Sequence, residues 1–307
     1  MSVSGTVISV FRGGCAVVFD EQIHELTLTG SSAVQALVLA VGDEVTFDPD
    51  RGVVESQAPR RTELARLRPQ AGRQRRTGGA KKVLAANMDA VAIVMSVVDP
   101  PFRSGAVDRF WLAAVEGGLE AILIVNKVDR VGQGELPDIV EAYKSVLPVF
   151  ETSAKGGQGL AELAQGLRGK RTVFAGHSGV GKSSLLNSLQ PELRLATGEV
   201  SSKTGKGRHT TTAAQWLRLP GGAIVVDTPG VREIATGSLD EDALEQVYPD
   251  IEALAHECRF RDCRHDTEPD CAVANAVAEG SLHPGRLESF AKLREEIAAL
   301  ASEARRT

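Results

Sequence analysis

Apolar residues in the first 58 positions come in short alternating runs, separated by Gly, Asp and Pro. Such alternation over about four to eight residues is typical of half-buried β-strands. Five runs are present, and they read GTVISVF, GCAVVFD, HELTL, EVTFD and GVVES. Five short strands in so short a segment predict a small barrel of the OB type. Alternation alone does not separate this barrel from an SH3-like barrel.

Residues 83–237 show a different pattern, in which continuous apolar runs alternate with helical stretches. The runs AVAIVMSVV, AILIVN, VLPVF, RTVFAG and AIVVD suit strands that are covered on both faces of a sheet. The segments SGAVDRFWLAAVEGG and KSSLLNSLQ have the spacing of helices. The pattern predicts a parallel α/β sheet with its functional loops at the carboxyl ends of the strands.

The last segment, 238–307, is predicted to be helical, because apolar residues recur there at three- and four-residue spacing. We therefore divide the chain into a barrel over 1–70, a basic linker to about 82, an α/β domain over 83–237 and a helical domain. Residues 59–82 hold nine Lys or Arg and one acid. They form either a solvated linker or a strap for a nucleic-acid phosphate backbone.

Composition limits the class of protein. Hydrophobic residues make up 42% of the 307 positions and charged residues 24%, as expected of a soluble globular chain. The first twenty residues do not resemble a signal peptide, and no apolar run reaches the roughly 18 residues of a membrane span. Four cysteines, three of them close together, do not suggest a secreted disulfide framework. We expect a cytoplasmic monomer without membrane contact.

A phosphate-binding loop is indicated at 176–183, where GHSGVGKS matches the pattern G-x-x-x-x-G-K-S between a predicted strand and a predicted helix. The glycines let backbone N–H groups point at phosphates, and the helix N-terminus adds the positive end of its dipole. Lys182 is expected to reach the β- and γ-phosphates, and the Ser183 hydroxyl is expected to bind Mg²⁺.

Guanine recognition is indicated by NKVD at 126–129, which closes a buried strand, and by SAK at 153–155. The Asp129 carboxylate can accept hydrogen bonds from guanine N1–H and N2–H₂, donors that adenine lacks, so the wrong base leaves a carboxylate unpaired. The stem of Lys127 would cover the base, and an N–H of SAK would contact O6. In ordinary GTPases these motifs follow the P-loop. Here they precede it, which predicts a circularly permuted domain.

A second phosphate motif, DTPG, follows the last apolar strand at 227–230. Asp227 is expected to hold Mg²⁺ through water, and the Gly230 N–H is expected to sense the γ-phosphate. By itself this tetrapeptide is usually a turn. Its place about 45 residues after a P-loop makes it specific.

Between the P-loop and DTPG, residues 201–215 have the composition of a switch that orders around γ-phosphate and Mg²⁺. One threonine among 210–212 should complete the magnesium shell, and spacing does not choose which. Val231 occupies the position at which many GTPases have a water-orienting glutamine, and valine has no hydrogen-bonding group. His209 is a candidate replacement, and a loop histidine without a role is the alternative.

A metal site is predicted near the end of the chain. The four ligand-type side chains are Cys258, Cys263, His265 and Cys271. Three thiolates and one imidazole form a closed tetrahedral set for one Zn²⁺, in a structural role because no place remains for water. His256 is the alternative imidazole, and Cys15 is expected to pack inside the barrel.

Together these motifs resemble the circularly permuted, ribosome small-subunit-dependent GTPase family (ribosome small subunit GTPase A). The resemblance rests on LAAN at 84–87, NKVD, TSAK, GHSGVGKSSLLN, GRHTTT, DTPG and the Cys/His cluster. It implies an OB barrel, a permuted GTPase domain and a zinc domain. It also implies GTP hydrolysis to GDP and phosphate, stimulated by the small ribosomal subunit and its rRNA during late maturation. Within the switch, it favours Thr211 as the magnesium ligand and His209 as the residue that positions water.

The expected site therefore has three parts. The residues expected to contact GTP are Asn126, Lys127, Asp129, Ser153, Ala154, Lys155, Gly176, His177, Ser178, Gly179, Val180, Gly181, Lys182, Ser183, Ser184, Asp227 and Gly230. The expected catalytic residues are Lys182, His209 and Thr211, and the expected magnesium ligands are Ser183, Thr211 and Asp227. Two alternatives are a GTP-dependent rRNA-binding scaffold with negligible hydrolysis and a metal-trafficking GTPase. A P-loop kinase would leave NKVD and SAK unexplained.

Overall fold

The first five strands form a closed barrel in a computed structural model, which describes residues 1–29, 34, 36–67, 81–132, 136–193, 215–227 and 241–305. The strands are β1 (Val3–Phe11), β2 (Gly14–Phe19), β3 (Gln22–Thr27), β4 (Glu44–Asp48) and β5 (Val53–Gln57). They close in the order β1-β2-β3-β5-β4, with β1 antiparallel to β4 and β3 parallel to β5. The interior contains the fully buried Cys15 and Phe47. The predicted OB-type barrel is confirmed.

A separate two-stranded sheet follows the barrel and consists of β6 (Glu63–Leu67) and β7 (Lys81–Ala86), which pair antiparallel. The basic residues around 59–82 were expected to form a linker, whereas β6 and β7 are strands at the two ends of this stretch. Residues 68–80, with four of the nine basic side chains, lie outside the described residues. Leu64 and Ala85 are fully buried. These two segments therefore form strands because they are buried against the rest of the fold, although their own pattern of polar residues does not predict strands.

The barrel is held against the following segment by hydrogen bonds to its 41–42 turn. Ala86 N donates to Val41 O at 2.8 Å, and Asn87 Nδ2 donates to Gly42 O at 2.9 Å. Gly42 leaves no room for a side chain, because a Cβ there would lie 1.9 Å from Ala86 O. This close backbone contact fixes the barrel on the α/β domain.

The central sheet has six strands in the order β10-β9-β8-β11-β13-β12. The strands are β8 (Ala90–Ser96), β9 (Glu120–Asn126), β10 (Val149–Thr152), β11 (Arg171–Ala175), β12 (Gln215–Arg218) and β13 (Ile224–Asp227). All adjacent strands are parallel except β12 and β13, which are antiparallel. The predicted parallel sheet therefore has an unpredicted antiparallel edge. Only a short turn at Pro220–Gly222 joins these two strands, and a short connection requires antiparallel pairing.

Four helices cover the sheet: α1 (Ser104–Glu116), α2 (Ile139–Lys144), α3 (Leu160–Leu167) and α4 (Lys182–Leu189). Strand β8 is buried along its whole length. Val91 and Ile93 belong to one apolar cluster, with α1, whereas Ala92 and Val94 belong to another, with α3 and α4. Successive side chains of a strand point to opposite faces, so the sheet lies between two layers of helices.

The last part of the chain is helical, as predicted, with α5 (Glu241–Val247), α6 (Pro249–Ala255), α7 (Ala272–Glu279) and α8 (Pro284–Arg305). It is joined to α1 through Arg286, which is fully buried. Its guanidinium donates to Asp108 at 2.9 Å and to Asp250 at 2.9 and 2.8 Å, and lies 4.4 Å from the Tyr248 ring centroid. Within the described ranges, no helix combines the length and apolar character needed to cross a membrane.

Candidate functional site

The predicted nucleotide motifs begin at one edge of the central sheet. Strands β9, β10, β11 and β13 are parallel, so their carboxyl ends lie on the same side. In register, Thr152 lies beside Asn126, and Phe174 lies beside Asp227. The NKVD, SAK and P-loop segments therefore meet, although their order in the chain is reversed relative to ordinary GTPases.

Asn126 joins three of these segments through its buried side-chain amide. Its Nδ2 donates to the P-loop carbonyl of Val180 at 2.8 Å. Its Oδ1 accepts from Ala154 N at 3.2 Å and from Thr152 Oγ1 at 3.3 Å. Asn126 is 1% exposed, so these hydrogen bonds replace those it would otherwise make with water. The amide thus holds the guanine motif, the SAK loop and the P-loop in one arrangement.

The Asp129 carboxylate is exposed and is oriented by the SAK loop. Ser153 Oγ donates to Asp129 Oδ1 at 2.5 Å and itself accepts from Gly156 N at 2.7 Å. A charge-assisted hydrogen bond of this length restricts the rotation of the carboxylate. Asp129 is thereby presented as a fixed acceptor at the end of β9.

Lys127 adopts the left-handed backbone conformation, with φ of 67°, directly after β9. Its ammonium donates to the backbone carbonyl of Asp99. Burial lowers the pKa of Lys127, and the positive charge of Arg130 acts in the same direction. The anchored ammonium holds the aliphatic stem at the site, where the stem is expected to cover a bound base.

Two glycines of the P-loop, Gly176 and Gly181, occupy positions where a side chain would clash. A Cβ on Gly176 would lie 2.3 Å from Val94 O, and one on Gly181 would lie 2.3 Å from Asn126 Nδ2. Both have positive φ, at 143° and 100°. Lys182 Nζ donates to the carbonyls of Gly176 at 2.6 Å and His177 at 3.0 Å. The ammonium therefore lies over the first half of the loop.

Asp227 ends β13 close enough to Lys182 for their charges to interact. Burial raises the pKa of Asp227, and the positive charge of Lys182 opposes that rise. Ser183 lies half-buried in the first turn of α4. A hydroxyl and a carboxylate are oxygen donors of the kind that Mg²⁺ prefers, so these residues fit the predicted magnesium ligands.

The remaining predicted residues have varied surroundings. Val180 is buried and Ala154, His177 and Ser184 are half-buried, whereas Lys155, Ser178 and Gly179 are exposed. The predicted residues His209, Thr211 and Gly230 lie outside the described residues. Sequence reasoning did not identify Ser188, whose Oγ donates to Ala154 O at 2.7 Å and ties α4 to the SAK loop. No local pattern predicts that contact, because the two residues are 34 positions apart.

The Cys/His cluster has the geometry of a closed zinc site. The ligand atoms of Cys258, Cys263, His265 and Cys271 all lie within 4.8 Å of one another. Cys258 Sγ lies 3.9 Å from Cys271 Sγ and 3.6 Å from His265 Nδ1, and Cys271 Sγ lies 3.5 Å from that nitrogen. A tetrahedral Zn²⁺ with its usual bond lengths requires about 3.8 Å between sulfurs and about 3.6 Å from sulfur to nitrogen. The residues fit one zinc ion.

His256, the alternative ligand, is outside the cluster. It is largely exposed and lies 3.4 Å from Glu252. Cys271 also caps α7, where its Sγ accepts from Ala274 N at 3.4 Å. His265 has φ of 61° and lies beside the Phe290 ring of α8. The proposed zinc loop is thus tied to both helices that follow it.

Comparison with known proteins gives relatives over nearly the whole chain. The protein named small ribosomal subunit biogenesis GTPase RsgA from Gemmatimonas aurantiaca is 36% identical over 311 aligned positions, covering 96% of this chain and 98% of the relative. The protein of the same name from Chlorobaculum tepidum is 39% identical, covering 85% and 86%. The Gemmatimonas aurantiaca relative spans the barrel, the α/β domain and the helical segment, because so little of either chain is left unaligned.

Solved structures agree with this similarity. The crystal structure of YjeQ from Thermotoga maritima matches with a TM-score of 0.73 and 31% identity, covering 97% of this chain and 99% of that one. The structure of YloQ, described as a circularly permuted GTPase, matches with a TM-score of 0.68 and 27% identity, covering 97% and 96%. The predicted permutation is therefore confirmed.

The family model described as RsgA GTPase matches residues 57–237. This range contains the two-stranded sheet, all six strands of the central sheet and every predicted nucleotide motif. The match does not favour the alternative of a scaffold without hydrolysis. The chain belongs to the RsgA GTPase family.

Proposed function

We propose that the chain hydrolyses GTP to GDP and phosphate while bound to the small ribosomal subunit, during late maturation of that subunit. The observation that carries the proposal is the hydrogen bond from Asn126 Nδ2 to Val180 O at 2.8 Å. It places the guanine motif against the P-loop in spite of the permuted order. The names of relatives that align over most of the chain supply the ribosomal context.

Guanine selection would depend on residues at the ends of β9 and β10. Asp129 accepts from the two guanine donors, held in position by Ser153. Ala154 lies in the loop whose backbone N–H would contact guanine O6. The aliphatic stem of Lys127 would cover the base. Adenine would leave the carboxylate without its donors, at a cost of roughly 1–3 kcal/mol or more.

The phosphate end would be bound by the P-loop backbone and by α4. Lys182 exchanges its present carbonyl partners for β- and γ-phosphate oxygens, to which it offers a full positive charge. Mg²⁺ bound by Ser183, Asp227 and the predicted Thr211 would neutralise charge on the same phosphates. His209 is the residue proposed to orient the attacking water, since Val231 has no group that could do so.

The remaining parts of the proposal concern partners and organisation. The basic stretch 59–82 is proposed to contact rRNA phosphates, because it concentrates positive charge in a chain whose net charge is −5. We propose a cytoplasmic monomer, since its proposed partner is a ribosomal subunit. The division at about 70, 82 and 237 is kept as the proposed domain organisation.

Phosphate release tests the proposed function. Full-length protein is incubated with GTP or ATP, each with and without purified small subunits, and phosphate is measured over time. We expect release from GTP to exceed release from ATP and to rise when subunits are added. Lys182→Ala is expected to lower GTP turnover at least about a hundredfold. Equal release from both nucleotides, or no response to subunits, would contradict the proposal.

A further inference from the structure

A cavity of about 320 Å³ opens beside the P-loop. Its lining residues are Met95, Pro100, Pro101, Arg103, His177, Ser178 and Val180. Apolar groups form most of the wall, and Arg103 is exposed at the start of α1. Two loops therefore face each other across this space: the P-loop and the connection from β8 to α1.

The cavity lies at the phosphate end of the expected nucleotide. Asn126, in the guanine motif, contacts the P-loop at Val180. The base is therefore expected on the Val180 side of the loop. Lys182 Nζ lies against the Gly176 and His177 carbonyls, and this lysine is the residue that reaches β- and γ-phosphates. His177 also lines the cavity. The cavity is thus adjacent to the position of the terminal phosphates.

Arg103 is a poor residue for the helix that it begins. It is the N-cap of α1, with φ of −135° and ψ of 104°, and makes no side-chain capping bond. Ser, Thr, Asp and Asn are favoured at this position because their oxygens accept a backbone N–H. A positive charge is also unfavourable at the positive end of the helix dipole. Both effects weaken α1.

The Arg103 guanidinium has no hydrogen bond or ion pair with any of the residues that the structure describes. Residues that break a local rule without a structural compensation are found mainly at functional sites. A guanidinium can bind two oxygens of one phosphate through parallel N–H groups in a planar fork, whereas an ammonium acts as a point charge. Its chemistry and its place on the cavity therefore indicate a phosphate ligand.

We propose that Arg103 binds the γ-phosphate of GTP across this cavity and thereby distinguishes GTP from GDP. The inference rests on the proposed function, since it needs GTP in the P-loop. Arg103 adds positive charge on the side of the terminal phosphate opposite the P-loop backbone. Negative charge on the phosphoryl oxygens is stabilised by arginines in this way during phosphoryl transfer.

The test compares Arg103→Ser with the wild type in the full chain. Serine removes the charge and supplies a good N-cap, so α1 should become more stable while the phosphate contact is lost. Binding of a non-hydrolysable GTP analogue and of GDP is measured by titration calorimetry, and the melting temperature is measured for each protein. We expect the dissociation constant for the analogue to rise about tenfold, that for GDP to change less than about twofold, and the melting temperature not to fall.

Two further variants complete the test. Arg103→Lys keeps the charge without the planar fork. Its dissociation constant for the analogue should lie between those of the wild type and Arg103→Ser. Arg168→Ser removes an exposed arginine at the end of α3, before β11 begins and thus at the opposite edge of the sheet. It should leave both nucleotide affinities unchanged.

Equal loss of affinity for analogue and GDP in Arg103→Ser, or no loss for either, would overturn the inference. Failure of the wild type to bind GTP would instead contradict the proposed function itself. A wild type that binds GTP together with an unaffected Arg103→Ser variant rejects only the role of Arg103.

Discussion

Gly181 leaves no room for a side chain in the nucleotide site, and it supports a prediction at the scale of one residue. In Gly181→Ala, the new Cβ would lie 2.3 Å from Asn126 Nδ2. We expect the Asn126–Val180 hydrogen bond to break, leaving buried polar groups unpaired at about 1–3 kcal/mol. Affinity for GTP, measured by titration calorimetry, should fall roughly 10- to 100-fold.

Gly169 supplies the matched control. It also has positive φ, at 69°, but a Cβ there would meet no atom within 4 Å. Gly169→Ala therefore has the backbone strain of a left-handed alanine without the clash. It should lower the melting temperature slightly and leave GTP affinity unchanged. Equal loss of affinity in both variants would show that strain, and not the contact with Asn126, explains the effect.

Roles for single residues can be predicted from the sequence where their chemistry defines a motif. The role of Asp129 is predicted from its carboxylate at the end of an apolar run, and that of Lys182 from the glycines before it. Their supporting contacts could not be predicted. Asn126 and Val180 are 54 positions apart, and only the folded sheet places the amide beside that carbonyl.

At the scale of elements, the loop of the Cys/His cluster is expected to depend on metal. Cys258→Ser, or treatment with a chelator, removes a ligand or the ion, and the Cys271 cap at the start of α7 should loosen with the loop. Zinc content should fall from about one per chain to near zero. Limited proteolysis should then cleave within 256–271, whereas the zinc-bound protein should resist cleavage there.

His256→Ala is the control for this prediction, because His256 is next to the cluster and largely exposed but outside the ligand set. It should retain zinc and protease resistance. Loss of zinc in this variant would show that the imidazole ligand is His256 and that the assignment to His265 is wrong.

Elements were predictable to the extent that their own residues specify them. The five barrel strands alternate, and β8 is an unbroken apolar run, so local pattern was sufficient for both. Strands β6 and β7 contain several charged residues and were missed, because burial of Leu64 and Ala85 against the rest of the fold stabilises them. The pairing of β12 was missed because its direction depends on the short turn before β13.

At the scale of the whole molecule, Arg286 joins the helical segment to the α/β domain and supports the last prediction. Arg286→Ala would leave the fully buried Asp108 without its positive partner. Removing one member of a buried ion pair lowers the stability of the folded protein by about 3–5 kcal/mol. The free energy of unfolding, measured by denaturant titration with circular dichroism as the signal, should fall by that amount.

An exposed pair on the same helix provides the comparison. Lys292 lies 3.9 Å from Glu288, and both are largely exposed, so Lys292→Ala should change stability by less than about 1 kcal/mol. Replacing both Asp108 and Arg286 by apolar residues should restore part of the stability lost in the single variant. A single variant as stable as the wild type would mean that the buried pair does not hold the two parts together.

The reversed order of the motifs also has a consequence for synthesis. The barrel is complete once residue 57 has left the ribosomal exit tunnel, so it can close early. Strand β8 pairs with β9 soon afterwards, but its other neighbour, β11, is translated only after residue 170. Until then one edge of a strand that the folded protein buries along its whole length stays open, the condition under which nascent chains aggregate. Stalled chains ending near residue 150 should therefore bind chaperones more strongly than chains ending near residue 240.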